Sequence, residues 1–407
     1  MLSFIKKFSI FCFLDNNAYN FDTSYECLAG AGIVRSVNST TDNLDKIDEL
    51  RRHEQDWIFG HLSYDIKNRF EELHSSHFDG IQFLEFMFFV PQIVLILSGN
   101  TLKIGVIGPN DPDVIYKEII SCNAEEQAAK ATPRFKGRFS RNEYVETVHK
   151  LKQHILKGDC YEINFCQEFY ADNITLHPEK VFRNLLKLSP NPFSAFYRCD
   201  DKYLICASPE RFLKKAGTTI ISQPIKGTAK RIASDITADE KLKEELRTDD
   251  KERSENIMIV DLVRNDLSRI CLEGSVFVKE FLGIYSFPQV HQMISTVIGE
   301  LRQNASLTEI FAATFPMGSM TGAPKKRVME IIEKYERTKR GLFSGTVGYI
   351  TPDGDFDFNV VIRSILYNET NHYASIQAGS AITFKSDPAK EYEECLLKVA
   401  VLKRAME

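Results

Sequence analysis

A glutamate and a lysine, sixteen residues apart in "ASPERFLKKAGTTIISQPIKGTAKR", are residue types that do covalent and proton-transfer chemistry: Glu210 and Lys226. A neutral lysine amine is a nucleophile, and a glutamic acid kept protonated is a proton donor. Two further stretches, "DDKERSENIMIVDLVRNDLSRI" and "SDPAKEYEECLLKVAVLKRAM", each carry an E-x-x-E pair, Glu252 with Glu255 and Glu391 with Glu394. Residues three apart on a helix share a face, so each pair offers hard oxygen donors of the kind Mg²⁺ takes. Each feature also has an ordinary reading. Lys226 reads equally as a solvated charge at a strand end. On spacing alone, the glutamate pairs are better read as solvated helix faces with i,i+4 salt bridges such as Glu394 to Lys398.

The elements that hold these residues decide between the readings. "KKAGTT" turns one strand back on another, and the loop length sets which side chains share a face. A two-residue loop at Ala216 and Gly217 pairs Glu210 with Gln223 and sends Lys226 to the opposite face. A three-residue loop, or an equivalent bulge, pairs Glu210 with Pro224 and brings Lys226 to its side. The second register is expected. The first carboxylate helix places Ile257, Val260, Val263 and Leu267 on one apolar stripe. The second is capped by Asp387 with Pro388 at its first position, and buries Cys395, Val399, Leu402 and Met406.

Three other segments could meet an anion. "GDFDFNVVIRSIL" alternates as one strand, with Asp357, Asn359 and Arg363 on one face, and an arginine there can hold a carboxylate bidentately or lie in solvent. "IQAGSAITF" puts Gly379 and Ser380 where a backbone can approach a ligand, or where two strands cross tightly. "FPMGSMTGAPKKRVMEII" is a glycine-marked loop that feeds a helix starting at Pro324.

The 407-residue chain is 43% hydrophobic and 26% charged, which suits a globular α+β protein with a sizeable core. Its net charge of −5 supplies no basic field for nucleic acid. Nine scattered cysteines form no CxxC pair, so neither a disulfide framework nor a zinc site is indicated, and a reduced cytoplasmic setting fits. "FSIFCFL" reads as a buried strand, and "FLEFMFFVPQIVLIL" as two core strands rather than a membrane span. Residues 1–121 form a strand-rich N-terminal part, 122–138 a polar linker or crossing segment, and 139–407 a catalytic domain that opens on a helix capped by Ser140 and Glu143. Short turns between the strands imply antiparallel pairing, against a doubly wound parallel sheet. No complete dinucleotide loop, P-loop, GxSxG or HExxH motif occurs.

From about residue 130 onward the chain resembles the chorismate-utilising enzyme family. The resemblance rests on "GDCYEINFCQEF", "ASPERF", "PIKGT", "DKERSENIMIVDLVRNDLSRI", "GSMTGAPK", "GYI", "VIRSI", "QAG" and "DPAKEYEECLLKV", all in family order. It implies an anthranilate synthase component I-like fold, with two large, mainly antiparallel sheets packed together and helices outside. "PIKGT" is similar to the branch that aminates chorismate at C4, where anthranilate-forming members are expected to read "PIAGT". The lysine base of the isochorismate-forming branch aligns with Glu162, so water activation loses support. The resemblance further implies Lys226 as covalent nucleophile and Glu210 as acid/base. It implies Mg²⁺ on Glu255 and Glu394, with Glu252 and Glu391 outer or water-mediated. It implies Arg363, Tyr349, Gly379 and Ser380 around the pyruvyl carboxylate, with Thr321 as a weaker contact. Gln292 stands where the family commonly has a histidine and cannot carry a proton. Glu210 is expected to be raised in pKa. Lys226 needs a neutral fraction, which burial or the nearby Lys230 and Arg231 would favour. No glutaminase domain is evident, so a glutamine amidotransferase partner is expected to supply ammonia, and a separate lyase would complete 4-aminobenzoate for folate.

Overall fold

Strands closed by short turns pair antiparallel into two large sheets in a computed structural model that describes residues 1–19, 25–122, 133–232, 234–287 and 290–407. Most of the expected linker, 123–132, lies outside the described residues. Among the described residues the first sheet has 11 strands and the second 10. "FSIFCFL" forms strand Ile10–Asp15 in the first sheet. "FLEFMFFVPQIVLIL" splits into Phe86–Val90 in the second and Ile93–Ser98 in the first. Residues 1–121 thus supply strands to both sheets, hydrogen-bonded to strands from the rest of the chain, such as Ile10–Asp15 to Phe193–Cys199 and Ile58–Leu62 to Thr346–Ile350.

One buried apolar cluster joins side chains from both sheets, among them Cys12, Tyr197 and Leu204 of the first and Phe88, Val347 and Phe358 of the second. A second cluster lies between the first sheet and helices Arg141–Leu156, Pro178–Leu188 and Pro388–Arg404. Helix Arg141–Leu156 starts at the expected capping box of Ser140 and Glu143. Among the described residues no helix is long and apolar enough to cross a membrane.

Two crossings between the sheets place the chemistry. Strand Lys202–Ser208 belongs to the first sheet and Arg211–Ala216 to the second, so Glu210 lies at the passage. The chain returns beside it. "GDFDFNVVIRSIL" is not one strand: Phe356–Asn359 pairs in the second sheet and Ser364–Asn368 in the first. The passages are pinned together by Val360 N–H to the Glu210 carbonyl (3.0 Å) and Ala207 N–H to the Arg363 carbonyl (3.1 Å). Arg363 sits in the turn at φ 51, a left-handed conformation that non-glycine residues seldom adopt. Period-two alternation cannot reveal such a break, because both halves carry the same pattern.

The hairpin reaches the expected register by a bulge. The turn is Gly217–Thr218, with Ala216 opposite Thr219, so it starts one position later than either loop considered. A shift between Lys214 and Arg211 then sets Arg211 opposite Gln223, the offset that brings Glu210 level with Pro224.

Candidate active site

Strand Ile225–Lys230 pairs with the interior strand Val290–Glu300 of the second sheet, and helix Asp250–Ser268 packs on both. Asn256 of that helix donates to the carbonyls of Lys226 and Met293, both at 3.3 Å, and locks the cover in place. Gly227, at φ 96, leaves room for Glu252, whose Oε2 would lie 3.2 Å from an added Cβ. The helix buries Ile259, Val260, Val263 and Leu267, while Ile257 is exposed. The expected stripe is therefore corrected at one position. The sequence supplied two isoleucines, and the helix buries the one a half-turn further on.

Lys226 is held by carboxylates. Its Nζ donates to Glu162 Oε1 at 2.7 Å, and the Glu162 side chain is 1% exposed. Burial alone would favour the neutral amine, but Glu162, Glu255 and Glu210 outweigh it and hold the ammonium well above the usual lysine range. This corrects the expectation of a lysine neutralised by burial or by Lys230 and Arg231. Lys230 is exposed, and Arg231 pairs with Asp239 at 3.2 Å.

The Glu210 carboxyl is raised in pKa, as expected. Burial pushes its carboxyl up to about 7, against the lowering pull of the Ser319 hydroxyl, Lys226 and the Ile225 amide. Ser319 donates to Glu210 Oε1 at 2.7 Å. Ser319 and Glu162 are the residues the motif reading passed over in these roles. The loop "GSMTGAP" pointed at Thr321, whose hydroxyl instead caps its own turn on the Met317 carbonyl at 3.1 Å.

The two E-x-x-E helices converge here. Lys251 feels Glu255, Glu391, Glu252 and Glu394, and Lys226 acts on Glu252, Glu255 and Glu394. Glu255 and Glu391 are the deepest, at 5% and 3% exposed. Glu255 Oε1 and Glu391 Oε2 are buried without a hydrogen-bond partner. Burial raises Glu255 to about 7. Glu394 is shallower and bonds Lys398 at 2.6 Å, the salt bridge read from spacing. Orphaned buried carboxylate oxygens on an all-oxygen donor set fit a hard divalent cation in kind. Lys251 Nζ supplies positive charge there, 3.7 Å from Glu255 Oε1 and 3.5 Å from Glu391 Oε1. Among the described residues, no group of three or more His, Cys, Asp or Glu is drawn together tightly enough to hold an ion.

Arg363 faces the same cluster through Glu394, and burial lowers its guanidinium pKa. Among the described residues its half-buried side chain makes no hydrogen bond or salt bridge, so the guanidinium is open to an anionic ligand. Gly379 and Ser380 lie in strand Tyr373–Ile382, opposite Cys166 and Phe165. A Cβ at Gly379 would meet Cys166 Sγ at 2.4 Å, so the glycine serves a tight strand crossing. The Ser380 hydroxyl lies 3.4 Å from that of Tyr144.

Two expected contacts are placed elsewhere. Tyr349 packs with Tyr25, Trp57 and Phe59, beside the ion pair of Arg211 and Asp357 (2.9 Å at both contacts). Gln292 lies opposite Thr228 and Tyr285, buried, with Oε1 unpartnered. Ser295 bonds Asn256, and Met293 packs at Gly227 beside Glu252, so both turn to the covering helix and Gln292 alternates to the other face.

A family model described as chorismate binding enzyme matches residues 15–404. The chain belongs to the chorismate-binding enzyme family. It is 36% identical over 290 residues to aminodeoxychorismate synthase component 1 of Bacillus subtilis, covering 71% of this chain and 61% of that protein. It is 32% identical over 398 residues to anthranilate synthase component 1 of Aquifex aeolicus, covering 90% and 80% of the two chains. The crystal structure of anthranilate synthase component I from Streptococcus pneumoniae superposes with a TM-score of 0.81 at 26% identity, over 95% of this chain and 93% of that one. The two packed antiparallel sheets with outer helices are the fold expected from the motifs.

Proposed function

We propose that this chain aminates chorismate at C4, giving 4-amino-4-deoxychorismate and water. The observation that carries the reading is Lys226, ion-paired to Glu162 at 2.7 Å, in one buried site with a Glu210 carboxyl raised to about 7. Lys226 first passes a proton to Glu162 and becomes the amine. Its nitrogen forms a bond to ring C2, the conjugated electrons shift, and the C4–O bond breaks. Glu210 gives its proton to the departing oxygen, which leaves as water. Ammonia then bonds to C4, the C2–nitrogen bond breaks, and the electron pair returns to Lys226. The new ammonium group returns a proton to Glu210, and Glu162 returns its proton to the Lys226 amine, so atoms and charge balance and the ion pair is restored.

Arg363 is the residue suited to the pyruvyl carboxylate, because it is a half-buried cation whose side chain has no protein partner among the described residues. Glu255 and Glu391, with Glu252 and Glu394 around them, would hold Mg²⁺. When bound, the ion would neutralise the ring carboxylate of the substrate. Ammonia would come from a separate glutamine amidotransferase, in the cytoplasm, and a lyase would release 4-aminobenzoate for folate.

A second reading, anthranilate formation, draws on the 32% identity that runs across 90% of this chain. Incubation with chorismate, Mg²⁺ and ammonium separates them. Fluorescent anthranilate without an added lyase would replace the first reading with the second. Tight chorismate binding without turnover would make the chain an inactive scaffold.

A further inference from the structure

Arg340 lies just after helix Lys325–Tyr335, 2% exposed, with every N–H donor of its guanidinium engaged. Nε and Nη2 bond the Glu336 carboxylate at 3.0 and 2.6 Å. Nη2 also bonds the Asn164 carbonyl at 2.8 Å, and Nη1 bonds the Met320 carbonyl at 2.6 Å and the Ser344 hydroxyl at 3.3 Å. Asn164 is two residues beyond Glu162 on the same strand, and Met320 follows Ser319. Asn164 adds its own ties to that loop, from Nδ2 to the Ser319 carbonyl at 2.7 Å and from its amide to the Thr321 carbonyl at 2.8 Å. Glu336 also accepts from the Cys166 amide at 2.8 Å. Gln377, two residues before Gly379, donates to the Arg340 carbonyl at 3.1 Å. One guanidinium therefore joins the strand that carries Glu162 to the loop that carries Ser319.

We propose that Arg340 is a positioning residue, a clamp that sets the Lys226–Glu162 pair against the Glu210–Ser319 pair. The hydroxyl of Ser319 can point at Glu210 only while its loop is held to the Glu162 strand, and Arg340 adds a buried cross-tie to those made by Asn164. The consequence for chemistry rests on the reading of Glu210 as proton donor; the clamp itself does not.

The test uses the double substitution Arg340→Met with Glu336→Met, which removes both buried charges together and keeps apolar volume. Arg340→Lys is the second variant. Lysine keeps a charge for Glu336 but cannot reach the Met320 and Asn164 carbonyls together. In both, the Asn164 amide is expected to exchange with solvent about tenfold faster or more, with secondary structure unchanged. Ammonium-dependent chorismate consumption should lose about tenfold or more in kcat, with a much smaller change in KM. Its alkaline limb should move to higher pH, because Ser319 no longer favours the Glu210 carboxylate. The other charges around Glu210 are Lys226, the adjacent Arg211, and Asp266 with its partner Lys325, none of which the variants touch. Ser319→Ala alone should shift the limb equally, and should add nothing in the clamp variants. Unchanged exchange at Asn164, an unmoved limb, or additive shifts would each overturn the proposal. Full activity in Glu210→Gln, or no turnover by the native protein, would instead remove the proton-donor reading, and exchange at Asn164 would still decide the clamp.

Discussion

Lys226 Nζ lies 2.7 Å from Glu162 Oε1 in a site where the lysine side chain is only 10% exposed. The residue we propose as nucleophile is thus held as an ammonium, beside a carboxylate that could take its proton. The reactive amine exists only after that transfer. This relationship, rather than the presence of a lysine, is what makes the site chemically specific.

The proposed covalent step is open to direct observation. Mass spectrometry of the protein with chorismate, Mg²⁺ and no ammonium should show an adduct on Lys226. Lys226→Ala should show none, and its amination should fall to background. Absence of any adduct on the native protein would leave the covalent route without support.

Glu162→Gln keeps a hydrogen-bond acceptor near Lys226 and removes the negative charge. The first support for the raised lysine pKa among its neighbours is then gone, so the amine forms at lower pH. The pH at which adduct formation is half-maximal should fall. An unchanged midpoint would mean that Glu162 does not control the lysine proton.

Glu210 must be protonated to act as an acid, and its folded pKa is about 7. kcat/KM should therefore decline as pH rises through about 7. Glu210→Gln should lose about 10²–10⁴-fold in turnover. A profile flat from pH 6 to 9, by the order of that pKa shift, would exclude this role.

Metal binding should be visible without substrate. Burial raises Glu255 to about 7, above its unfolded value. Such a group favours the fold below the unfolded pKa, and that contribution is lost as pH rises through about 7. Mg²⁺ should compensate best at the alkaline end, by about 2.7 kcal/mol when the ion is at 100 times its Kd. Glu255→Gln should raise the metal-free Tm at pH 8, an alkaline value chosen about one unit above that pKa, and both Glu255→Gln and Glu391→Gln should abolish the increment with Mg²⁺. Retention of the full increment in both variants would remove these residues as ligands.

Gly379→Ala tests the strand crossing. The added Cβ would fall 2.4 Å from Cys166 Sγ and 2.6 Å from the Phe165 carbonyl. Loss of about 1–3 kcal/mol in chemical denaturation is expected. A neutral result would show that the two strands can separate at no cost.

Local features were legible in the sequence because neighbours a few residues away decide them. The Ser140–Glu143 box, the Asp387–Pro388 cap and the buried face of Cys395, Val399 and Leu402 follow from helical period and cap chemistry. The ordered motifs carried the family and, with it, the paired sheets. What the sequence by itself determined is therefore the local elements, the family, and which side chains are available for chemistry. The tertiary structure decided their company. Ser319 meets Glu210 from 109 positions away, and Glu162 meets Lys226 from 64. It also broke the Arg363 stretch between two sheets, set Glu391 deeper than Glu394, and sent Tyr349 to an aromatic cluster. Alternation and spacing report which residues share a face. They do not report what that face meets, because burial and charge depend on segments distant in the chain that arrive only when both sheets are complete.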